Sequence, residues 1–198
     1  MGNLQKADAN TSPTMKIQDS WIFAPPEVME RAANIKIVVL DVDGVLTDGS
    51  LYYDDDGKEY KAFYARDGHG MKMLMQSGVE IGVISGRNSP VVEKRMRELG
   101  ISHFYQGHLE KRPVFDTLLR ELGIRQTEAA YVGDDLVDLP VMLHAYFAIT
   151  VPDAHPLVTR HAHWCTPNAG GRGAVRDVCE LIMAAQGMLV PQIEMTLR

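Results

Sequence analysis

Asp41 and Asp43, separated by Val42, follow directly on the apolar run Ile35-Lys-Ile-Val-Val-Leu40. A run so rich in β-branched residues reads as a buried parallel strand. The carboxyl end of such a strand is where an open α/β sheet holds its ligand. Strand alternation sends Asp41 and Asp43 to one side and Val42 to the other. Two carboxylates there repel each other and lose hydration, a cost that a divalent cation or one retained proton relieves. Gly44 lets the chain turn sharply after them. The plainer reading is a pair of acids capping a turn.

Three further groups stand where predicted strands end. Ser85-Gly-Arg87 closes the run 79–84 and opens a predicted helix, so a hydroxyl, backbone N–H groups and a guanidinium can face an anion. A serine N-cap explains the same residues equally well. Lys111 opens a predicted helix after the short strand His103–Tyr105, and a lone lysine is ordinarily a solvated charge. Gly133-Asp134-Asp135-Leu-Val-Asp138 follows the strand Ala129–Val132. Asp134 and Asp138 share a face if the helix has already begun, although acids at a helix start also suit its dipole. Three acids in five residues exceed what capping needs, which favours an inward, metal-facing Asp134.

Together these groups describe phosphoryl chemistry. Two or three carboxylates with waters make a hard oxygen site suited to Mg²⁺. Seven scattered histidines and two cysteines offer no zinc cluster. A transferring phosphoryl group spreads charge over its oxygens, for which Mg²⁺, Lys111, the Ser85 hydroxyl and backbone amides would compensate.

Around these groups the pattern alternates. A helix over 26–33, its start marked by Pro25 and Pro26, feeds the first strand. Helices over 70–77, 89–99, 111–122 and 136–144 precede strands over 79–84, 103–105, 129–132 and 145–149, and a last helix spans 174–187. This predicts a Rossmann-like, doubly wound α/β fold, a parallel sheet with helices on both faces. Residues 49–65 interrupt it with two aromatic, β-prone runs flanking Asp56-Gly57, a hairpin signal. The expected organisation is a flexible leader over 1–24, one domain over 25–188 and a tail over 189–198, frayed by default.

A length of 198 residues with 45% apolar content suits one domain with a full core. A net charge of −6 without a Lys/Arg run argues against a nucleic-acid partner. No apolar stretch is long enough to span a bilayer. Cys165 and Cys179 have neither C-x-x-C spacing nor scaffold density, which points to a reducing cytoplasm.

Asp41-Val-Asp-Gly-Val-Leu-Thr-Asp48, Ile84-Ser-Gly-Arg87, the later lysine and Val132-Gly-Asp-Asp-x-x-Asp138, in that order, resemble the haloacid dehalogenase-like phosphatases over residues 35–188. More closely, the chain resembles their subclass without a cap domain. Ala65-Arg-Asp-Gly-His-Gly70, Tyr105-Gln-Gly-His-Leu-Glu-Lys111, the stretch 131–142, Asp153-Ala-His-Pro156 and Gly170-Gly-Arg-Gly-Ala-Val-Arg176 are similar to the 3-deoxy-D-manno-octulosonate 8-phosphate (KDO-8-phosphate) phosphatases. That resemblance implies Mg²⁺-dependent release of the 8-phosphate in lipopolysaccharide precursor synthesis. Asp41 would be the nucleophile that forms an aspartyl-phosphate. Asp43 would protonate the leaving sugar oxygen and then deprotonate the hydrolytic water. Asp41, Asp134 and the Asp43 backbone carbonyl would hold Mg²⁺, and Ser85 and Lys111 would neutralise the phosphoryl oxygens. Asp138 would orient Lys111 or a metal-bound water, with Asp135 beside it.

The resemblance also implies a homotetramer in which the hairpins over 50–64 pack together, with Tyr52, Tyr53, Tyr60, Phe63 and Tyr64, so that a neighbour completes each site. The alternative is a ribbon folded back on its own domain. The small sugar-acid phosphate carries a second anion, for which Arg66 and Arg87, then Arg172, together with His69, are the candidates. The tail would reach toward a neighbouring site. Rival readings are a phosphatase for a nine-carbon 2-keto-3-deoxy sugar acid 9-phosphate, a phosphorylatable receiver module, and an inactive interaction module on the same scaffold. A receiver carries its phosphorylated Asp on a middle strand, apart from the acid pair of the first.

Overall fold

The computed structural model describes residues 24–197, so the expected leader, apart from Ala24, lies outside the described residues. Helix α1 (Pro26–Ala33) leads into strand β1 (Ile37–Leu40), followed by a two-rung antiparallel hairpin of β2 (Tyr52–Tyr53) and β3 (Glu59–Tyr60). Then come α2 (Ala65–Gln76), β4 (Glu80–Ile84), α3 (Pro90–Leu99), β5 (His103–Tyr105), α4 (Lys111–Leu122), β6 (Ala129–Val132) and α5 (Leu139–Met142). The chain closes with β7 (Phe147–Thr150), α6 (Pro156–His161), β8 (Trp164–Cys165), α7 (Ala174–Ala185) and α8 (Leu189–Thr196). Among the described residues six strands pair in parallel in the order β5-β4-β1-β6-β7-β8, the doubly wound sheet that the alternation predicts.

β1 is hydrogen-bonded on both edges and buried on both faces, which is why it reads as an unbroken apolar run. Val38 and Leu40 join the core under α1, α2, α3 and α7, whereas Ile37 and Val39 join the core under α4, α5 and α6. The chain runs from β1 outward to β4 and β5, then returns to add β6 on the other side. The direction of winding therefore reverses at β1 and β6, and the loops leaving their carboxyl ends part there to leave a crevice.

Several sequence expectations need correction. Helix α2 begins at Ala65 rather than at 70, because Gly68 and Gly70, which look like loop residues, serve packing. A Cβ on Gly68 would lie 2.3 Å from Arg95 Nη2, and one on Gly70 would lie 2.8 Å from Arg176 Cδ. Helix α5 is one turn, shorter than 136–144, because the preceding residues are committed to a turn around Asp138. Ser85 does not open a helix: α3 starts at Pro90 after Ser89, whose hydroxyl donates to Glu59 Oε2 at 2.6 Å. Elements α6 and β8 have no counterpart in the sequence reading. The tail is not frayed over 189–196, where α8 buries Leu189 and Gln192. No helix among the described residues is long and apolar enough to cross a membrane.

Candidate active site

Past β1, the Thr47 N–H returns to the Val42 carbonyl at 3.0 Å and closes one wide turn over Val42–Leu46. Gly44 stands in that turn at φ +91°, and a Cβ on it would lie 2.0 Å from Asp134 Oδ2. Only glycine supplies both the left-handed backbone and the clearance that bring the acids after β1 and β6 together.

Lys111, at the first position of α4, spans the crevice. Its Nζ lies 2.7 Å from Asp41 Oδ1 and 2.7 Å from Asp138 Oδ1, and its side chain is 1% exposed. Burial alone would lower its pKa, but the charges of Asp41 and Asp138 outweigh that and raise it. Asp138 is the hub of this arrangement. Its Oδ1 also accepts the Tyr131 hydroxyl at 2.7 Å, while Oδ2 accepts the N–H groups of Asp134 and Asp135 at 3.1 and 3.2 Å. Asp134 and Asp138 thus meet through a turn rather than on a helical face, and the approach requires Gly133, whose Cβ would fall 2.4 Å from Asp138 Cβ. Burial, reinforced by Asp138, drives the Tyr131 hydroxyl far above its ordinary pKa, so it remains a donor.

The remaining acids are frustrated. Burial, then repulsion from Asp138, lifts the Asp41 carboxyl to about 7 even beside Lys111. Burial, then the charges of Asp41, Asp138 and Asp135, lifts Asp134 to about 8. Carboxylate oxygens of Asp41, Asp134 and Asp138 lie within 4.8 Å of one another, and Asp134 Oδ1 is buried without a hydrogen-bond partner. Since Asp138 is occupied by Lys111, Tyr131 and two amides, Asp41 and Asp134 are the pair left to share a cation. An orphaned buried oxygen among acids weakened by mutual repulsion fits a hard divalent ion.

These groups open into a cavity of about 300 Å³ that Asp41, Asp43, Ser85, Arg87, Lys111 and Asp134 help to line. The Ser85 hydroxyl there accepts the Arg87 N–H at 3.2 Å. Asp135 lines the rim. Of the four substrate-binding candidates, Arg87 alone reaches this cavity. Arg66, His69 and Arg172 line a separate depression of about 550 Å³ with Tyr64, Asn168 and Arg176, and Arg172 Nη2 lies 3.3 Å from Asp48 Oδ2.

Two residues that sequence reasoning passed over sit beside Asp43. Lys61 pairs with Asp43 Oδ1 and lies 3.4 Å from Glu59 Oε1, with its side chain 1% exposed. Glu59 in turn accepts Arg87 Nη2 at 2.9 Å, and the Tyr53 hydroxyl accepts the same nitrogen at 2.7 Å. The ribbon therefore does fold back on its own domain through its polar side chains. Leu51, Tyr52, Tyr53 and Tyr60 nevertheless remain 48–54% exposed. The available sequence signal was the alternation of Glu59-Tyr-Lys61, which sends the two charges to the face opposite Tyr60.

No protein-family model matches the sequence. The chain is 49% identical over 164 residues to the 3-deoxy-D-manno-octulosonate 8-phosphate phosphatase KdsC of Salmonella typhimurium, spanning 83% of this chain and 87% of that protein. The crystal structure of the phosphatase of that name from Yersinia pestis superposes with a TM-score of 0.82 at 45% identity, over 83% of this chain and 89% of the other. The one from Moraxella catarrhalis, in complex with magnesium ion, phosphate ion and KDO, gives 0.84 at 42% identity, over 86% and 98%. A doubly wound sheet with one acid pair just after β1 and an acid cluster after β6 defines a phosphatase scaffold of the haloacid dehalogenase superfamily. Within that superfamily the chain belongs to the 3-deoxy-D-manno-octulosonate 8-phosphate phosphatase family.

Proposed function

We propose that this protein is an Mg²⁺-dependent phosphomonoesterase that hydrolyses KDO-8-phosphate to KDO and inorganic phosphate, a step in lipopolysaccharide precursor synthesis. The observation that carries this reading is the Lys111 bridge, which holds Asp41 in the lining of the cavity beside the orphaned oxygen of Asp134. Asp41 attacks phosphorus; a carboxylate–phosphorus bond forms as the bond to the sugar oxygen breaks. Asp43 gives that oxygen its proton, then takes one from the water that releases phosphate and restores Asp41. Lys111 and the Ser85 hydroxyl meet the phosphoryl oxygens, Asp138 holds Lys111 in place, and Arg87, in the same cavity, is the candidate there for the sugar carboxylate. Asp41, Asp134 and the Asp43 carbonyl would hold Mg²⁺, which supplies charge for the transferring group.

The finer assignments follow from the same residues. The exposed Leu51, Tyr52, Tyr53 and Tyr60 suit burial against other copies, so a homotetramer joined through the 50–64 hairpin is the expected assembly. Arg66, His69 and Arg172, outside the phosphoryl cavity of their own chain, would then meet the sugar carboxylate in a neighbour's site, and the tail would approach one too. Free Cys165 and Cys179 accord with a cytoplasmic location.

The test is phosphate release from a panel of eight- and nine-carbon sugar-acid phosphates with and without Mg²⁺. The expected result is release that needs Mg²⁺, fastest with KDO-8-phosphate and lost in Asp41→Asn. Faster turnover of a nine-carbon substrate would transfer the assignment to that sugar, and absence of Mg²⁺-dependent release from any ester would overturn it. Sedimentation of Tyr52→Asp/Tyr60→Asp as a species smaller than the wild type supports the hairpin-joined tetramer, and an unchanged size removes it.

A further inference from the structure

Asp43 is the residue on which leaving-group protonation depends, and the geometry around it is unlike that around Asp41. Its Oδ1 is taken by Lys61, while Arg87 Nε stands 3.7 Å from Oδ2. Lys61 does not line the cavity that Asp41, Asp43, Ser85 and Lys111 share. Its side chain is 1% exposed and sits behind the carboxylate, between Asp43 and Glu59. A lysine so thoroughly shielded has lost most of its hydration, a cost met here by two carboxylates.

We propose that Lys61 is a positioning residue for Asp43: carried by the hairpin, its ammonium fixes one carboxylate oxygen so that the other faces the leaving group. The inference rests on the phosphatase reading above and deepens it. With Oδ1 held by Lys61, rotation of the carboxylate about its last bond is restrained, and Oδ2, 3.7 Å from Arg87 Nε, is the oxygen left to meet the leaving group in the cavity that Asp43 helps to line. Glu59 fixes Lys61 from its far side. Glu59 is itself clamped to the domain by Ser89 Oγ at 2.6 Å and Arg87 Nη2 at 2.9 Å. The orientation of the proton donor is thereby tied to the seating of the ribbon. A proton donor helps only when it lies within hydrogen-bond reach of the oxygen that departs, so rotational freedom at Asp43 translates into lost rate.

The experiment compares two esters in the full-length protein. A primary alkyl phosphate such as KDO-8-phosphate expels an alkoxide and needs the proton from Asp43. p-Nitrophenyl phosphate expels a phenolate that leaves without one. In Lys61→Met and Lys61→Gln the ratio of alkyl to aryl kcat should fall by about tenfold or more, within the range a general acid contributes. KM for the alkyl ester should stay within about threefold of wild type, as for a group that acts in the transition state alone. The ratio is indifferent to how much of a preparation is folded, so it separates positioning from damage to the fold. A ratio that falls by less than about fivefold overturns the inference, since a purely structural or phosphate-binding lysine depresses both esters alike. Asp41→Asn, measured alongside, keeps the two claims apart. If it turns over either ester, the phosphatase mechanism fails. If it is dead while the Lys61 ratio is unmoved, the role of Lys61 alone fails.

Discussion

Asp134→Asn is expected to make the metal-free protein more stable and its turnover negligible. The Asp134 carboxyl is carried from an ordinary 3.8 to about 8, first by burial and then by Asp41, Asp138 and Asp135. A carboxyl raised in the fold remains protonated where the unfolded chain is already ionised. Its cost to the fold is therefore absent below about pH 4 and grows as pH climbs to about 8. At ~1.36 kcal/mol per pH unit, the roughly four units between those values set a ceiling of ~6 kcal/mol. Solvent in the cavity screens part of this, and the amide keeps a buried oxygen, so the expected gain is ~2 kcal/mol. For a chain of this length that amounts to about 4–8 °C in Tm. Thermal melts in EDTA between pH 4.5 and 8.5 read it: the variant should lead at pH 8.5 and converge on wild type at pH 4.5. Added Mg²⁺ should reverse the order by raising wild type alone, because an ion that binds the folded state stabilises it by mass action. A variant no more stable than wild type at pH 8.5, or an advantage independent of pH, would refute the frustrated-acid account.

Three further expectations concern the scaffold. Lys111→Met leaves Asp41 and Asp138 buried without their shared cation, and urea titration should find it destabilised by about 3–5 kcal/mol; a loss under about 1 kcal/mol would show that the bridge contributes little. Gly44→Ala forces a Cβ to 2.0 Å from Asp134 Oδ2 at φ +91°, so phosphate release should fall by at least about 100-fold and stability by about 1–3 kcal/mol; retention of near-full rate would refute the need for close approach. Gly70→Val drives a branched side chain against Arg176, 2.8 Å from Cδ and 3.3 Å from Cα, and should lower stability by about 1–3 kcal/mol by prising α2 from α7; an unchanged urea midpoint would mean the helices yield freely.

The parts of this molecule that the sequence displays are those fixed by neighbours along the chain. Residues 37–40 are apolar because β1 is covered on both faces, and the acids at 41, 43 and 134 are exposed to notice by standing just beyond such strands. Lys111 is visible by its place at a helix start. What the sequence hides is set at long range. Gly68 and Gly70 look like loop residues until Arg95 and Arg176 are seen to occupy the space a side chain would need. Asp134 and Asp138 look like helical neighbours, yet a turn around the Asp138 carboxylate joins them. Lys61 and Glu59 look like solvated hairpin charges, since nothing local says that residues 18 apart, Lys61 and Asp43, will touch.

Each hairpin strand contributes only two residues to its ladder, too few for a ribbon to persist in water by itself. Around its ladder the ribbon is anchored to the domain through polar groups, Lys61 to Asp43 and Glu59 to Arg87 and Ser89, while Phe63, beyond β3, packs against the core. Shielded ion pairs contribute little net stability, because the cost of desolvating both charges offsets their attraction. The apolar side chains that could supply more, Leu51, Tyr52, Tyr53 and Tyr60, are half exposed. Their burial against another copy would add stabilisation in proportion to the area covered. Because the same ribbon carries Lys61, that stabilisation would also sharpen the orientation of Asp43. Dilution to monomer should then depress the alkyl-to-aryl ratio of rates in the wild type, as Lys61→Met does.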